Sequence, residues 1–148
     1  MSLRTKPPAL LRDSAFGVLP KKELNRIASL ATPVKVKAGQ QLIARSSHGR
    51  ECFVVVKGEL AVKGDGIDAR IGNGELAGEL ALLTGERRNA SVAAATDTVV
   101  YALHPREFAT LLSEAPQFRQ RVVNRASARL GKKLNGLPAQ ILPDHERG

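Results

Sequence analysis

The stretch from Gly78 to Ser91 constrains the fold of this sequence more than any other. It begins with Gly78-Glu79, continues as a short apolar run, and returns to small residues after Arg87 and Arg88. Glycine lets a ligand or another backbone approach closely, and the next residues can form one helical turn whose amide groups favour an anion. The planar guanidinium of Arg88 can contact the same anion. The stretch therefore predicts an anion site, where Glu79 suits a sugar hydroxyl beside a phosphate.

This stretch resembles the phosphate-binding cassette of the cyclic nucleotide-binding domain family. The cassette reads approximately Phe-Gly-Glu-aliphatic-Ala-Leu-aliphatic, then three variable residues, Pro or Arg, Arg and two small residues. The positions that match it are Gly78, Glu79, Leu80, Ala81, Leu82, Leu83, Arg87, Arg88 and Ala90. The sequence departs from the pattern at Ala77, where the family usually has Phe, and at Asn89, where it often has Ala, Ser or Thr.

The resemblance implies the roles of several residues. Glu79 would bind the ribose 2′-hydroxyl, and Arg88 would bind the cyclic phosphate. In bacterial channels of this family an Arg late in the last helix caps the bound base, and Arg129 is the position here that best matches it. The ligand-binding residues that we predict are Gly78, Glu79, Leu80, Arg88, Asn89, Ala90 and Arg129.

The length of 148 residues fits one domain with a core of its own. Aromatic residues make up only 3% of the chain and Trp is absent, so Val, Leu, Ile and Ala must build that core. The single Cys52 excludes an internal disulfide and lies in an apolar run, where a buried, inert thiol is expected. We expect an N-terminal segment at 1–15, a cyclic nucleotide-binding domain at 16–131 and a flexible tail at 132–148.

A formal net charge of +9 raises nucleic-acid or membrane-surface binding as an alternative. The basic residues are spread along the chain without interleaved aromatic residues, which argues against base stacking. Too few residues follow Leu130 for a DNA-reading helix-turn-helix. No apolar run is long enough to span a bilayer and no signal peptide is visible. We therefore expect no nucleic-acid partner and a cytoplasmic location, with the cytosolic domain of a membrane protein as the alternative.

The spacing of apolar residues changes along the chain. From Pro20 to Ala31 it follows one face of a helix, and from Val34 it alternates as in a strand. Further strands separated by glycine-bearing turns are predicted at about 41–44, 51–56, 60–63, 67–71, 90–95 and 98–103. Short strands at this spacing predict an antiparallel barrel or jelly roll.

Two helices are expected to close the domain, the first opening at Pro105 and the second at Pro116. The second carries one apolar stripe, Phe118, Val122, Ala126 and Leu130, and a stripe of arginines, Arg121, Arg125 and Arg129, for which a solvated helix face is the usual interpretation. The predicted fold class is therefore α+β: an antiparallel, jelly-roll-like β-roll of about eight strands with an N-terminal helix and two C-terminal helices. This order also matches the family, over roughly residues 16 to 130.

Other chemistry finds little support in the sequence. The glycines at 72, 74 and 78 resemble a dinucleotide fingerprint, but the third comes late and no βαβ unit accompanies it. His48, His104 and His145 are scattered, so no metal is expected. Neither a nucleophile nor an acid–base set stands out, and we expect a protein that is not an enzyme.

The predicted function is that of a regulatory sensor domain that binds a cyclic nucleotide, cAMP or as an alternative cGMP, and needs no further cofactor. Occupancy would reach an effector domain or protein, which the sequence does not identify, through movement of the C-terminal helix. The alternative is a degenerate roll that binds no nucleotide and serves as a protein-interaction module. The absence of Phe at position 77 favours that alternative.

Overall fold

The computed structural model describes residues 7–46, 51–64, 66–84, 88 and 90–130, without the side chains of residues 129 and 130. Within these residues, eight antiparallel strands form two four-stranded sheets, and helices lie before, between and after the strands. The predicted α+β roll is therefore confirmed. The tail predicted over 132–148 lies outside the described residues.

Short helical segments precede the first strand. Helix α1 spans Ala9–Arg12, a 3₁₀ helix spans Ala15–Val18 and helix α2 spans Lys21–Leu30. The hydroxyl oxygen of Ser14 accepts a hydrogen bond from the Phe16 amide at 3.0 Å and caps the 3₁₀ helix. The helix predicted from apolar spacing is confirmed as α2, which buries Leu24 and Ile27. The 3₁₀ helix was not predicted, because four residues are too few to show a helical period.

The strands pair in two sheets, with the orders β1-β8-β3-β6 and β2-β7-β4-β5. Their bounds are β1 Thr32–Val36, β2 Gln41–Ile43, β3 Cys52–Lys57, β4 Glu59–Gly64, β5 Ile67–Gly72, β6 Leu76–Ala77, β7 Ala90–Ala94 and β8 Thr98–Leu103. Helix α3, Glu79–Thr84, lies between β6 and β7. Strand β6 was not predicted, because two residues cannot show the alternation of a strand.

Strand β3 is buried on both faces. Cys52, Val54 and Val56 pack in a cluster with the helices, whereas Phe53 and Val55 belong to a second cluster inside the roll. Alternate residues join different clusters because successive side chains of a strand point to opposite faces. The core is thus divided into a roll interior and a layer between the roll and the helices, and β3 links the two.

The two predicted closing helices are present as α4, Pro105–Glu114, and α5, Pro116–Leu130. Phe118, Val122 and Ala126 of α5 are fully buried against the helical side of the roll. The start of α5 is fixed by Glu23 of α2, whose carboxylate accepts hydrogen bonds from the amides of Gln117 at 3.1 Å and Phe118 at 2.8 Å. A carboxylate at a helix N-terminus satisfies amides that have no intrahelical partner and interacts favourably with the helix dipole. Helices α2 and α5 are therefore joined.

Neither a membrane-spanning helix nor a metal-binding cluster is found among the described residues. No helix in the described part of the chain has the length and apolar character needed to cross a membrane. No group of three or more His, Cys, Asp and Glu side chains there could hold a metal ion. Of the histidines considered from sequence, His48 and His145 lie outside the described residues.

Candidate functional site

The candidate site lies where β6 ends and α3 begins. Strand β6 ends after Ala77, whose partner across the sheet is Phe53 of β3. Gly78 then turns the chain with φ +89°, a conformation that L side chains rarely adopt, and α3 begins at Glu79. A Cβ at position 78 would lie 2.5 Å from Nη1 of Arg88 and 2.8 Å from the carbonyl oxygen of Glu51. Glycine is therefore required here both by the backbone and by its neighbours.

The guanidinium of Arg88 is held between two strand ends. Its Nη1 donates to the carbonyl oxygen of Gly78 at 2.9 Å, and its Nη2 donates to the carbonyl oxygen of Glu51 at 2.6 Å. Only 8% of the residue is exposed. Burial lowers the pKa of Arg88, while the nearby Cys52, Glu79 and Glu51 oppose that shift. Arginine stays protonated in proteins, so the site keeps a fixed positive charge with directed donors.

Glu79 places a carboxylate at the first position of α3, and the residue has no exposed surface. It interacts electrostatically with the Arg88 guanidinium. A carboxylate at a helix N-terminus is also favoured by the helix dipole. The site therefore combines a buried cation with a buried hydrogen-bond acceptor, the two kinds of group that a phosphate next to a hydroxyl needs.

The structure places the remaining predicted residues in different surroundings. Leu80 is half-buried in α3 and packs against the core layer between the roll and the helices, not against the roll interior. Ala90 is buried at the start of β7, opposite Gly64 of β4. Asn89 and the side chain of Arg129 lie outside the described residues, so the structure brings together Gly78, Glu79 and Arg88 of the predicted set.

Two contributors to this site were not predicted. Glu51 serves through its backbone carbonyl, which accepts from Arg88, and Ile43 of β2 would lie 3.3 Å from a Cβ at position 78. A backbone acceptor has no signature in side-chain identity, because every residue carries a carbonyl.

Arg121 and Arg125 of α5 do not form the solvated helix face that their spacing suggested. Arg121 donates from Nη1 to the carbonyl oxygen of Gly74 at 3.4 Å, and Arg125 pairs through Nη2 with the carboxylate of Glu75 at 2.9 Å. The interpretation was wrong because the turn between β5 and β6 presents acceptors to this face of α5. Such a contact between distant segments leaves no trace in local spacing.

Comparison with known proteins identifies a family that this chain resembles in sequence. The family model described as "Cyclic nucleotide-binding domain" matches residues 33–115, more than half of the chain. A cyclic nucleotide-gated potassium channel of Rhizobium etli is 29% identical over 116 residues, which cover 78% of this chain and 33% of the channel. The chain thus spans about a third of that relative's length.

Solved structures share this fold. The catabolite activator protein of Thermus thermophilus superposes with a TM-score of 0.67 at 25% identity, over 78% of this chain and 57% of that one. A protein of a cyclic-GMP-dependent signalling pathway that regulates bacterial phytopathogenesis superposes with a TM-score of 0.64 at 27% identity. That match covers 79% of this chain and 98% of the other.

Proposed function

We propose that this chain, which belongs to the cyclic nucleotide-binding domain family, binds cAMP at the start of α3 and passes its occupancy to an effector. The observation that carries the proposal is the convergence of Arg88 on the Gly78 carbonyl, directly beside the buried carboxylate of Glu79. The role is regulatory rather than catalytic. The effector is a further domain or protein on the cytosolic side of the cell, and the similarity to a potassium channel makes a channel one candidate output.

Arg88 is assigned to the cyclic phosphate. A guanidinium has five N–H donors in a rigid fork, and the two carbonyl contacts use two of them. These contacts orient the side chain, so little rotamer entropy remains to be lost when a phosphate oxygen is bound. A charge-assisted hydrogen bond in a site shielded from water is stronger than the same bond at the surface.

Glu79 is assigned to the ribose 2′-hydroxyl, which can donate a hydrogen bond to its carboxylate. Since the residue is buried at the first turn of α3, a ligand that leaves this carboxylate without a matching donor would be rejected. A 2′-deoxy analogue of cAMP should therefore bind more weakly than cAMP itself. Leu80 is assigned to the aliphatic position of the cassette and Ala90 to one of its small-residue positions, and both would lie close to the phosphate.

The choice of cAMP over cGMP depends on position 89. Family members that favour cGMP often carry Thr directly after the cassette Arg, where its hydroxyl can meet the guanine amino group. Asn89 has a longer amide that both donates and accepts. We propose cAMP with weak discrimination against cGMP, and more than a hundredfold preference for cGMP in a competition assay would contradict this assignment.

Helix α5 is assigned the role of transmitting nucleotide occupancy to the effector. Its buried stripe attaches the helix to the roll, while Arg129 belongs to the last turn, where helices fray most easily. We propose that Arg129 stacks on the purine and that the end of α5 becomes ordered when the nucleotide binds. Such a contact is available in only one position of the helix, so the ligand shifts the population towards that position.

Ligand-dependent stability tests the proposal. At about 100 times its dissociation constant, a bound ligand raises the free energy of unfolding by roughly 2.7 kcal/mol. We expect cAMP to raise the melting temperature, and 5′-AMP, which lacks the cyclic phosphate, to have little effect. A melting temperature unchanged by millimolar cAMP and cGMP would contradict nucleotide binding and favour a protein-interaction module instead.

A further inference from the structure

The turn that joins β5 to β6, residues 72–75, is anchored to the roll by its own backbone. Gly74 donates to the carbonyl oxygen of Val55 at 2.9 Å, and the amide of Val55 donates to the carbonyl oxygen of Glu75 at 2.9 Å. Oε1 of Glu75 also accepts from the amide of Gly72 at 2.8 Å. The turn therefore has a defined shape and moves with β3 and β6.

The same turn contacts α5. Glu75 uses its second oxygen, Oε2, to pair with Nη2 of Arg125 at 2.9 Å, and both side chains are about one-third exposed, at 33% and 29%. One helical turn earlier, Nη1 of Arg121 donates to Gly74, and its guanidinium carbon lies 4.9 Å from the centroid of the Phe16 ring. Residues four apart on a helix share one face, so Arg121 and Arg125 are both directed at this turn.

The N-terminal 3₁₀ helix, Ala15–Val18, is attached to the turn as well. The amide of Ala15 donates to Oδ1 of Asn73 at 2.9 Å, and a Cβ at Gly74 would lie 2.5 Å from that of Ala15. The close approach is possible because Gly74 has φ +93° and no side chain. One short turn thus holds both the segment before α2 and the helix that ends the described chain.

The turn is also directly connected to the candidate nucleotide site. Only β6, Leu76–Ala77, separates Glu75 from Gly78 and the start of α3, and β6 is paired with β3 and buried. A displacement at the start of α3 therefore has a short, packed route to the carboxylate that holds Arg125. Packed elements transmit such displacements because they change between discrete arrangements rather than deform gradually.

Two features would allow the ion pair between Glu75 and Arg125 to give way to another arrangement. Nε of Arg125 is buried and finds no hydrogen-bond partner among the described residues, so the present arrangement leaves one donor unsatisfied. A groove of about 440 Å³ runs between the 3₁₀ helix and α5, lined by Val18, Gly74, Arg121 and Arg125 among others. The groove leaves open space beside the face of α5 that carries the two arginines.

We propose that Glu75 is a positioning residue that couples the nucleotide site to α5 through its ion pair with Arg125. The proposal rests on the proposed function, because the signal that it transmits is nucleotide occupancy. Glu75 shapes the β5–β6 turn with one carboxylate oxygen and holds α5 with the other. Its role differs from that of a ligand contact, since it acts on the helix and not on the nucleotide.

The test measures amide hydrogen exchange across residues 116–130 with and without saturating cAMP, together with cAMP affinity by calorimetry. Glu75→Gln keeps an oxygen for the Gly72 amide but removes the charge that pairs with Arg125. Arg125→Gln breaks the pair from the other side, and Arg125→Lys preserves it. Glu59→Gln is the control, because it removes an equal charge from the exposed pair with Arg70 in the same roll.

We expect the wild type, Arg125→Lys and Glu59→Gln to change exchange in α5 when cAMP binds. Glu75→Gln and Arg125→Gln should bind cAMP and keep a similar melting temperature, yet lose most of that change. The double variant should behave like each single variant, because both remove one interaction. A full response in Glu75→Gln, or no response in the wild type although cAMP binds, would overturn the coupling. A wild type that binds no nucleotide would instead refute the proposed function, and the coupling with it.

Discussion

Arg88 and Gly78 form a mutually dependent pair. The Arg88 guanidinium donates to the Gly78 carbonyl oxygen at 2.9 Å, and the same nitrogen would lie 2.5 Å from any Cβ at position 78. The glycine that begins the cassette is therefore needed for the arginine near its end to reach its place. The spacing between these two residues in the sequence reflects this contact in the folded chain.

The first prediction concerns Gly78→Ala. The left-handed backbone alone should cost about 1–2 kcal/mol of unfolding free energy, and the clash with Arg88 should add roughly 1–3 kcal/mol. Gly39→Ala is the matched control, because Gly39 has φ +93° but nothing within 4 Å of the added Cβ. Urea denaturation should show a larger loss for Gly78→Ala, and calorimetry should show weaker cAMP binding for that variant only. Equal losses of stability would mean that Arg88 does not occupy this space.

The second prediction concerns Arg88→Ala. Removing a buried cation from a bound phosphate should weaken cAMP binding by about 3–5 kcal/mol, whereas an exposed pair contributes about 0–1 kcal/mol. Arg70→Ala provides the comparison, since Arg70 is well exposed and pairs with Glu59. Arg88→Lys should give an intermediate affinity, because lysine keeps the charge but loses the fork. Similar affinities for Arg88→Ala and Arg70→Ala would refute the assignment to the phosphate.

The third prediction concerns Glu23→Ala. This change leaves the amides of Gln117 and Phe118 without their acceptor, which should lower the free energy of unfolding by about 1–3 kcal/mol. Glu114→Ala is the control, because it removes only a partly exposed pair with Arg26, worth about 0–1 kcal/mol. Chemical denaturation of the two variants checks this. If both lose the same stability, Glu23 does not fix the start of α5.

The fourth prediction concerns Arg129→Ala. Loss of a cation stacked on the purine should weaken cAMP about fivefold, corresponding to roughly 1 kcal/mol, with little change in stability without ligand. Arg119→Ala removes the same charge from the first part of the same helix and should leave affinity nearly unchanged. Deleting residues 117–148 should weaken binding more, since the buried stripe of α5 is removed as well. Equal affinities for the two arginine variants would place the base contact elsewhere.

The parts of the fold that could be predicted are those determined by residues close together in the sequence. The cassette joins Gly78, Glu79 and Arg88 within one short stretch, and its helical turn follows from residue order. The stripe of Phe118, Val122 and Ala126 shows the buried face of α5, because helix periodicity alone determines which residues share a face. Seven of the eight strands followed from their spacing and glycine-bearing turns, and only the two-residue β6 did not.

The parts that could not be predicted depend on contacts between distant segments. Glu23 caps α5 although it lies 95 residues before Phe118 in the sequence. The position of Glu23 in the apolar pattern of α2 does not indicate that role. The Glu51 carbonyl that holds Arg88 is a backbone group, which any residue would provide. Arg125 looked like a solvated residue because its partner, Glu75, lies in a turn far away in the sequence.

Calorimetric titration of the purified chain with cAMP, cGMP and 5′-AMP tests nucleotide binding at the Arg88 site most directly. We expect saturable binding of one cAMP per chain, cGMP affinity within a hundredfold of it, and little binding of 5′-AMP. Arg88→Ala should abolish most of the cAMP affinity in the same titration. Absence of binding heat for both cyclic nucleotides, together with an unchanged melting temperature, would contradict nucleotide binding by this roll.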